Sequence, residues 1–184
     1  MKKAVFLDRD GTIIEEKNYL SRVEDIVLLE NAVEGLKLLQ DNGYMLFIIS
    51  NQSGVARGYF SEETVIKTNK FLEEMLQKNG IFIKEMYYCP HFKDGIVEEY
   101  KIDCNCRKPK IGMIQRALDI YDIDLEKSFI IGDKLSDMQL AKNCNSKSVL
   151  VLTGHGKKQE IDDKDLNVKI AEDLLMASKL ILED

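Results

Sequence analysis

The sequence predicts an α/β protein: a Rossmann-like, doubly wound, mainly parallel sheet with helices on both faces and no cap domain. Three observations predict it. Short apolar runs alternate with helical patterns along the chain, the signature of βαβ units. Polar or charged residues stand just beyond three of those runs: Asp8 and Asp10, Ser50 and Asn51, and Asp133. Open α/β sheets bind their ligands beyond the carboxyl ends of the strands, so residues far apart in sequence would converge there. Finally, the chain's two prolines, Pro90 and Pro109, bracket a Cys-rich segment, which marks it as an irregular insert.

Each element has its own reason. Residues 4–7 are a buried strand running into Asp8. Residues 32–40 carry Val33, Leu36, Leu38 and Leu39 at helical spacing, and Asn42-Gly43 ends that helix. Residues 44–49 are a second strand. Ser61 followed by Glu62-Glu63 opens a long helix to about Lys78, its acids at the positive end of the helix dipole. A third strand over 82–88 leads into the Cys segment, and 112–121 is helical. A fourth strand over 128–131 closes on Gly132-Asp133. A short helix over 136–143, a fifth strand over 148–152 and a terminal helix over 170–182 complete the chain. No internal repeat or low-complexity linker interrupts the order, so residues 1–184 read as one domain with an irregular Cys-rich loop at about 89–109.

Size and charge narrow the function. A chain of 184 residues buries roughly two-thirds of its unfolded surface and needs no disulfide staples. The hydrophobic fraction of 45% excludes wholesale disorder. A net charge of −6 argues against non-specific binding to nucleic acid or anionic lipid, yet permits a local basic pocket for a small anion. The run 4–7 is too short for a signal-peptide core, and no stretch approaches the ~18 apolar residues of a membrane span. A cytoplasmic protein is expected.

The segment Asp8-Arg9-Asp10-Gly11-Thr12 follows a buried strand and turns at a glycine, aiming two carboxylates into one site. One can attack an electrophile or bind a metal while the other moves a proton. Asp133 adds an acid suited to a hard cation such as Mg²⁺. Ser50-Asn51 adds neutral hydrogen-bonding groups, and Arg107-Lys108 adds positive charge. Together these suit phosphoryl transfer, where charge develops on the equatorial oxygens. Asp137 lies one helical turn beyond Asp133 and reads as an orienting group.

The second constellation is Cys89-x-His91, twelve residues, then Cys104-x-Cys106. Three thiolates and an imidazole match a closed, structural Zn²⁺ site with four ligands. Because Cys106 adjoins Arg107, fixing the metal would fix Arg107 and Lys108 at the mouth of the site.

The order D-x-D-G-T, a strand-ending Ser, Lys, then G-D-x-x-x-D resembles the haloacid dehalogenase-like phosphatases from Asp8 to Asp137. Within them, Asn51-Gln52-Ser53-Gly54-Val55-Ala56-Arg57-Gly58, Cys89-Pro90-His91 and Cys104-Asn105-Cys106-Arg107-Lys108-Pro109 resemble the D-glycero-D-manno-heptose 1,7-bisphosphate 7-phosphatases of the histidinol-phosphatase subfamily. The resemblance implies Asp8 as nucleophile and Asp10 as general acid and base. It implies Mg²⁺ on Asp8, Asp133 and the Asp10 carbonyl, and a phosphoryl group held by Ser50 and Lys108. It also implies substrate contacts from Glu16, Lys17, Asn18, Tyr19, Asn51, Gln52, Ser53, Arg57, Arg107 and Lys134. Arg57 stays open, reaching a substrate anion or simply lying exposed. Glu16 and Lys17 depart from the Asp and His common in that branch.

The expected partner is a small-molecule sugar bisphosphate, bound by a monomer, with no nucleic acid and no membrane. A histidinol-phosphate phosphatase is the alternative, disfavoured because Arg57 and Arg107 favour an anion over an ammonium. A DNA-end phosphatase lacks its basic stripe, and a non-catalytic zinc-stapled binding module would not need five converging polar groups. His155 reads as an exposed loop residue without a near partner, Cys144 as a small buried side chain and Lys157-Lys158 as a solvated face.

Overall fold

A computed structural model describes residues 1–159 and 168–184. The described residues hold eleven α-helices and β-strands, alternating as expected from β1 to β5: β1 (Ala4–Leu7), α1 (Ala32–Asp41), β2 (Met45–Asn51), α2 (Glu62–Lys78), β3 (Ile83–Cys89), α3 (Gly112–Leu118), β4 (Phe129–Gly132), α4 (Leu135–Asn143), β5 (Lys147–Val151), β6 (Val168–Ala171) and α5 (Leu174–Leu182). The strands form one six-stranded sheet in the order β3-β2-β1-β4-β5-β6, and every neighbouring pair is parallel.

Strand alternation divides the core between two faces. Val5 and Leu7 of β1, with Leu46, Ile48, Ile131 and Val149, face Leu36 and Leu39 of α1, Leu72 and Leu76 of α2, and Leu174 and Ala177 of α5. Ala4 and Phe6, with Phe47, Ile49 and Ile130, face Met113 and Ile114 of α3 and Leu140 and Ala141 of α4. Sandwiched between helices, the strands can be apolar on both sides, which is why they read as continuous runs.

The element order puts a topological switch between β1 and β4. The chain winds from β1 outward to β3, then returns to place β4 on the other side of β1. The crevice outside the carboxyl ends of these two strands is where a doubly wound sheet offers a ligand site. Asp8 follows β1 and Asp133 follows β4, so both stand at that crevice.

One expected element was assigned too far. The terminal helix expected over 170–182 begins at Leu174, and Val168–Ala171 is instead a sixth strand paired with β5. Ile170 falls in phase with the apolar stripe of Leu174, Ala177 and Ile181, so periodicity joined strand to helix. The break is chemical: Asp173 caps α5, its carboxylate accepting the Met176 amide at 2.8 Å. Among the described residues, no large insert separates the elements near the crevice and no cap domain covers it. Among the described residues, no helix is long and apolar enough to cross a membrane.

Candidate active site

The carboxyl ends of β1, β2 and β4 surround a cleft of about 310 Å³. Buried Asp8 and Lys108 form its floor, and Asp10, Glu16, Asn18, Tyr19, Asn51, Gln52, Ser53, Arg107, Lys134, Ser136 and His155 also line it.

Asp8 is the most constrained of these groups. Its Oδ1 accepts the Arg9 amide at 2.8 Å and lies 2.9 Å from Lys108 Nζ. Its Oδ2 is 3.8 Å from Lys134 Nζ. Burial alone would push this carboxyl up, but Lys108 first and Lys134 second hold it below the usual carboxylate range. Asp8 therefore stays ionised as a nucleophile must.

Lys108 is as buried as Asp8. Its ammonium lies 2.6 Å from Asp137 Oδ1 and donates to the Ile49 carbonyl at 2.9 Å. Burial opposes its charge, yet Asp137 and Asp8 overcome that and raise its pKa. Asn51 clamps its backbone from both sides, accepting the Lys108 amide at 3.0 Å and donating to the Lys108 carbonyl at 3.2 Å. Asp137, expected to face the same side as Asp133, meets the lysine there; burial pushes its own carboxyl up to about 7.

A second cation, Lys134, joins three acids. It lies 3.2 Å from Asp133, 3.3 Å from Glu16 and within reach of Asp8. Burial again disfavours the charge, and Asp8, Asp133 and Glu16 raise the pKa against it. Asp133, itself pushed up to about 6 by burial and by the Asp8 charge, accepts the His155 amide at 2.8 Å. Glycines let the backbone approach it. A Cβ on Gly11 or Gly154 would stand 2.3 Å from Asp133 Oδ2, and both residues have positive φ.

Asp10 also lines the cleft. Arg9, almost wholly buried, turns away from the opening and forks onto it, with Nε to Oδ2 at 3.1 Å and Nη2 to Oδ1 at 3.2 Å. Gln52 Nε2 donates to Asp10 Oδ2 at 2.9 Å and to Ser50 Oγ at 3.3 Å. Ser50, predicted to contact the phosphoryl group, is fully buried and reaches the cleft lining only through Gln52.

The Cys segment is also assembled. The sulfurs of Cys89 and Cys104 are 3.4 Å apart, those of Cys104 and Cys106 3.2 Å, and His91 Nδ1 is 3.4 Å from Cys106 Sγ. All four ligand atoms lie within 4.8 Å of one another, and none of the cysteines is in a disulfide. Zn–S bonds of ~2.3 Å in a tetrahedron put sulfurs roughly 3.7 Å apart, so this donor set fits zinc. Contact between the two thiols lowers the Cys106 pKa and raises that of Cys89, as expected of sulfurs crowded together.

Not every predicted residue reaches the cleft. Lys17 is exposed and turned onto Glu15 at 2.5 Å, so it does not line the opening. Arg57 does not line it either; its guanidinium stacks on the Phe92 ring at 4.1 Å, while Arg107 approaches the same ring at 5.0 Å. His155 corrects the opposite way. Expected as a free loop residue, it lines the cleft with Nε2 3.4 Å from Glu16 Oε2. Its partner comes from a loop far away in sequence, which no local pattern reveals. Arg9, Thr68, Asn69 and Ser136 were not singled out by the sequence. Thr68 and Asn69 did carry a signal: they are polar residues on the buried stripe of Val65, Leu72 and Leu76 in α2. Cys144 is buried as read, and Lys157-Lys158 are exposed.

Known proteins are similar to this chain in sequence and fold. The HAD-hydrolase-like family matches residues 105–177. A D-glycero-alpha-D-manno-heptose-1,7-bisphosphate 7-phosphatase from Photorhabdus laumondii is 40% identical over 180 residues, covering 97% of this chain and 96% of the relative. The chain belongs to this family of heptose bisphosphate phosphatases. A D-glycero-beta-D-manno-heptose-1,7-bisphosphate 7-phosphatase from Haemophilus ducreyi is 42% identical over 165 residues, covering 89% and 90% of the two chains, so relatives of both anomeric preferences match. The crystal structure of D,D-heptose 1,7-bisphosphate phosphatase from B. bronchiseptica, in complex with magnesium and phosphate, superposes with a TM-score of 0.86 at 28% identity over 98% of each chain. The heptose bisphosphate phosphatase fold thus extends over the whole of the sheet and the Cys loop.

Proposed function

We propose that residues 1–184 act as one catalytic domain that removes the 7-phosphate from D-glycero-D-manno-heptose 1,7-bisphosphate through an aspartyl-phosphate. The observation that carries the reading is Asp8. It is a buried carboxylate kept ionised by two lysines, at the floor of an open cleft that a second carboxylate also lines.

The Asp8 carboxylate attacks phosphorus, and the bond to the C7 oxygen breaks as Asp10 gives that oxygen a proton. Asp10 then takes a proton from the water that attacks the aspartyl-phosphate, releasing inorganic phosphate and restoring Asp8. Lys108 and Ser50 hold the transferring group, and Asp137 and Asn51 keep Lys108 in place. Oxygen donors fit Mg²⁺: Asp8, Asp133 and Asp137 offer carboxylate oxygens within 4.8 Å of one another. Of these, Asp8 and Asp133, with the Asp10 carbonyl, would hold the ion, as the family resemblance implies. Bound there, Mg²⁺ supplies the positive charge that lets a carboxylate approach a dianionic phosphate. Zn²⁺ would be structural, held by Cys89, His91, Cys104 and Cys106.

Recognition of the remote phosphate falls to the basic rim. Arg107 lines the cleft, braced on Phe92 and by donation from Nη1 to the His91 carbonyl at 3.4 Å. Arg57 stacks on the same ring, and Asn18, Tyr19 and Ser53 complete the substrate contacts. Glu16 bears on the histidinol-phosphate alternative. An ammonium substrate wants a free acid, but Glu16 is already engaged by Lys134 and His155. The reading keeps the expected monomer, and four cysteines outside any disulfide suit the cytoplasm.

Phosphate release from heptose 1,7-bisphosphate and from histidinol phosphate, each with Mg²⁺ and with EDTA, tests the reading. Mg²⁺-dependent preference for the bisphosphate is expected; preference for histidinol phosphate would overturn it.

A further inference from the structure

We infer that Arg9, oriented by Asn69 and Thr68 of α2, is a positioning residue that leaves Asp10 one lone pair for its proton. The inference rests on the proposed role of Asp10 as general acid and base.

The geometry is a count of donors and acceptors. A carboxylate presents about four lone-pair sites, two on each oxygen. Asp10 Oδ2 accepts from Arg9 Nε and from Gln52 Nε2, at 3.1 and 2.9 Å. Oδ1 accepts from Arg9 Nη2 at 3.2 Å. Three donors occupy three sites, and one site on Oδ1 remains. The proton that Asp10 donates and recovers therefore belongs on Oδ1. When it is there, Arg9 and Gln52 still have the lone pairs they used before.

Arg9 is itself fixed from behind. Its Nη1 donates to Asn69 Oδ1 at 2.7 Å and to Thr68 Oγ1 at 3.3 Å. Thr68 is bound in turn to the carbonyls of Thr64 and Val65, both at 3.0 Å. The guanidinium plane is thus set by a helix lying outside the cleft, and a forked guanidinium transmits its plane to the carboxylate it grips. Arg9 is 1% exposed and does not line the cleft. A buried charge facing away from substrate has a different task from binding it.

Leaving-group dependence reads this directly. In the first step the Asp8 oxygen bonds to phosphorus, the P–O bond to the leaving group breaks, and Asp10 transfers its proton to the departing oxygen. The C7 alkoxide of heptose 1,7-bisphosphate needs that proton; the phenolate of p-nitrophenyl phosphate leaves without it. kcat/KM, which reports steps through the first irreversible one, is measured on both for Arg9→Met, Asn69→Ala, Asn69→Asp and the control Asp10→Asn. The control should lose ~10²–10⁴-fold on the bisphosphate and far less on the aryl ester. Arg9→Met should lose about 10²-fold and Asn69→Ala roughly 10-fold on the bisphosphate, with less than about 3-fold on the aryl ester. Asn69→Asp retains an acceptor for Nη1 and should remain near wild type. If Arg9→Met does not fold, Asn69→Ala against Asn69→Asp decides. Equal losses on both substrates, with Asp10→Asn still showing the split, overturn the inference. If Asp10→Asn itself shows no split, the general-acid reading beneath it falls instead.

Discussion

Two cation sites in this molecule are built in opposite ways. The carboxylate site draws Asp8 from the end of β1 and Asp133 from the end of β4, 125 positions apart, and meets at the switch point of the sheet. The Cys site is contained between Cys89 and Cys106 in a single loop. One offers hard oxygens at the floor of an open cleft; the other offers three sulfurs and a nitrogen with no opening left. Hard ligands beside a cleft suit a catalytic ion that shares its coordination with substrate, whereas a closed set of soft ligands suits a scaffold. The two sites are joined through chemistry at Cys106-Arg107-Lys108, where the end of one becomes the wall of the other.

The largest effect should separate them at once. Asp8→Asn should reduce phosphate release to background, because an amide forms no aspartyl-phosphate and is a poor ligand for a hard cation. Its thermal midpoint should stay near wild type, since Lys108 keeps its Asp137 partner. Measurable turnover above background would remove Asp8 from the nucleophile role.

Damage to the other site should show the reverse balance. Cys104→Ser removes one sulfur from a four-ligand set and should release zinc, read by elemental analysis. A loss of about 3 kcal/mol or more would lower the midpoint by roughly 6–12 °C in a chain of this size. EDTA followed by Mg²⁺ alone should restore activity to wild type if zinc stays in its closed site. Absence of zinc from protein purified under reducing conditions would end the zinc assignment.

The two regions also differ in how far they could be read from sequence. The Cys cluster was legible because its spacing is local, and the strand-end acids because β strands ending at Asp8 and Gly132-Asp133 must point to one edge. What escaped was held by contacts between distant segments. His155 looked unpartnered because Glu16 lies 139 positions away, and Arg9 faces α2 rather than the cleft its neighbours face. Five of six strands followed from apolar runs. The sixth was hidden because Val168–Ala171 abuts α5 with Ile170 in helical phase.

The junction of the two sites gives a smaller and more selective effect. Arg107→Ala removes a charge-assisted contact to a remote anion, worth about 1.5–3 kcal/mol, so kcat/KM on the bisphosphate should fall roughly 10–150-fold. A monophosphate lacking that second anion should be far less affected. Lys108→Ala should harm both substrates alike, since every substrate presents the phosphoryl group it holds. Equal losses for Arg107→Ala on both would shift the remote-anion role to the Glu16–Tyr19 loop.

The smallest effect asks whether metal alone holds the Cys loop to the sheet. Tyr100, within the loop, donates its hydroxyl to Glu62 Oε2 at 2.8 Å, and Tyr88 at the end of β3 donates to Oε1 at 2.9 Å. Glu62 begins α2, so one carboxylate ties the loop to a helix across the sheet edge. The hydrogen bond to Glu62 raises the Tyr100 hydroxyl to about 12, and burial followed by the same carboxylate raises Tyr88 to about 12. The ordinary phenol value is near 10, so between pH 10 and 12 the unfolded chain has lost protons that the folded chain keeps. The stabilisation is therefore complete below about pH 10 and is lost as pH rises toward 12. Tyr100→Phe should lower the neutral-pH midpoint by only roughly 1–3 °C, and it should flatten the fall in stability between pH 10 and 12 relative to wild type. Thermal melts of both proteins across that range give the comparison. If the wild-type and Tyr100→Phe curves stay parallel, the Glu62 tie contributes nothing to the loop, and zinc with local packing holds it alone.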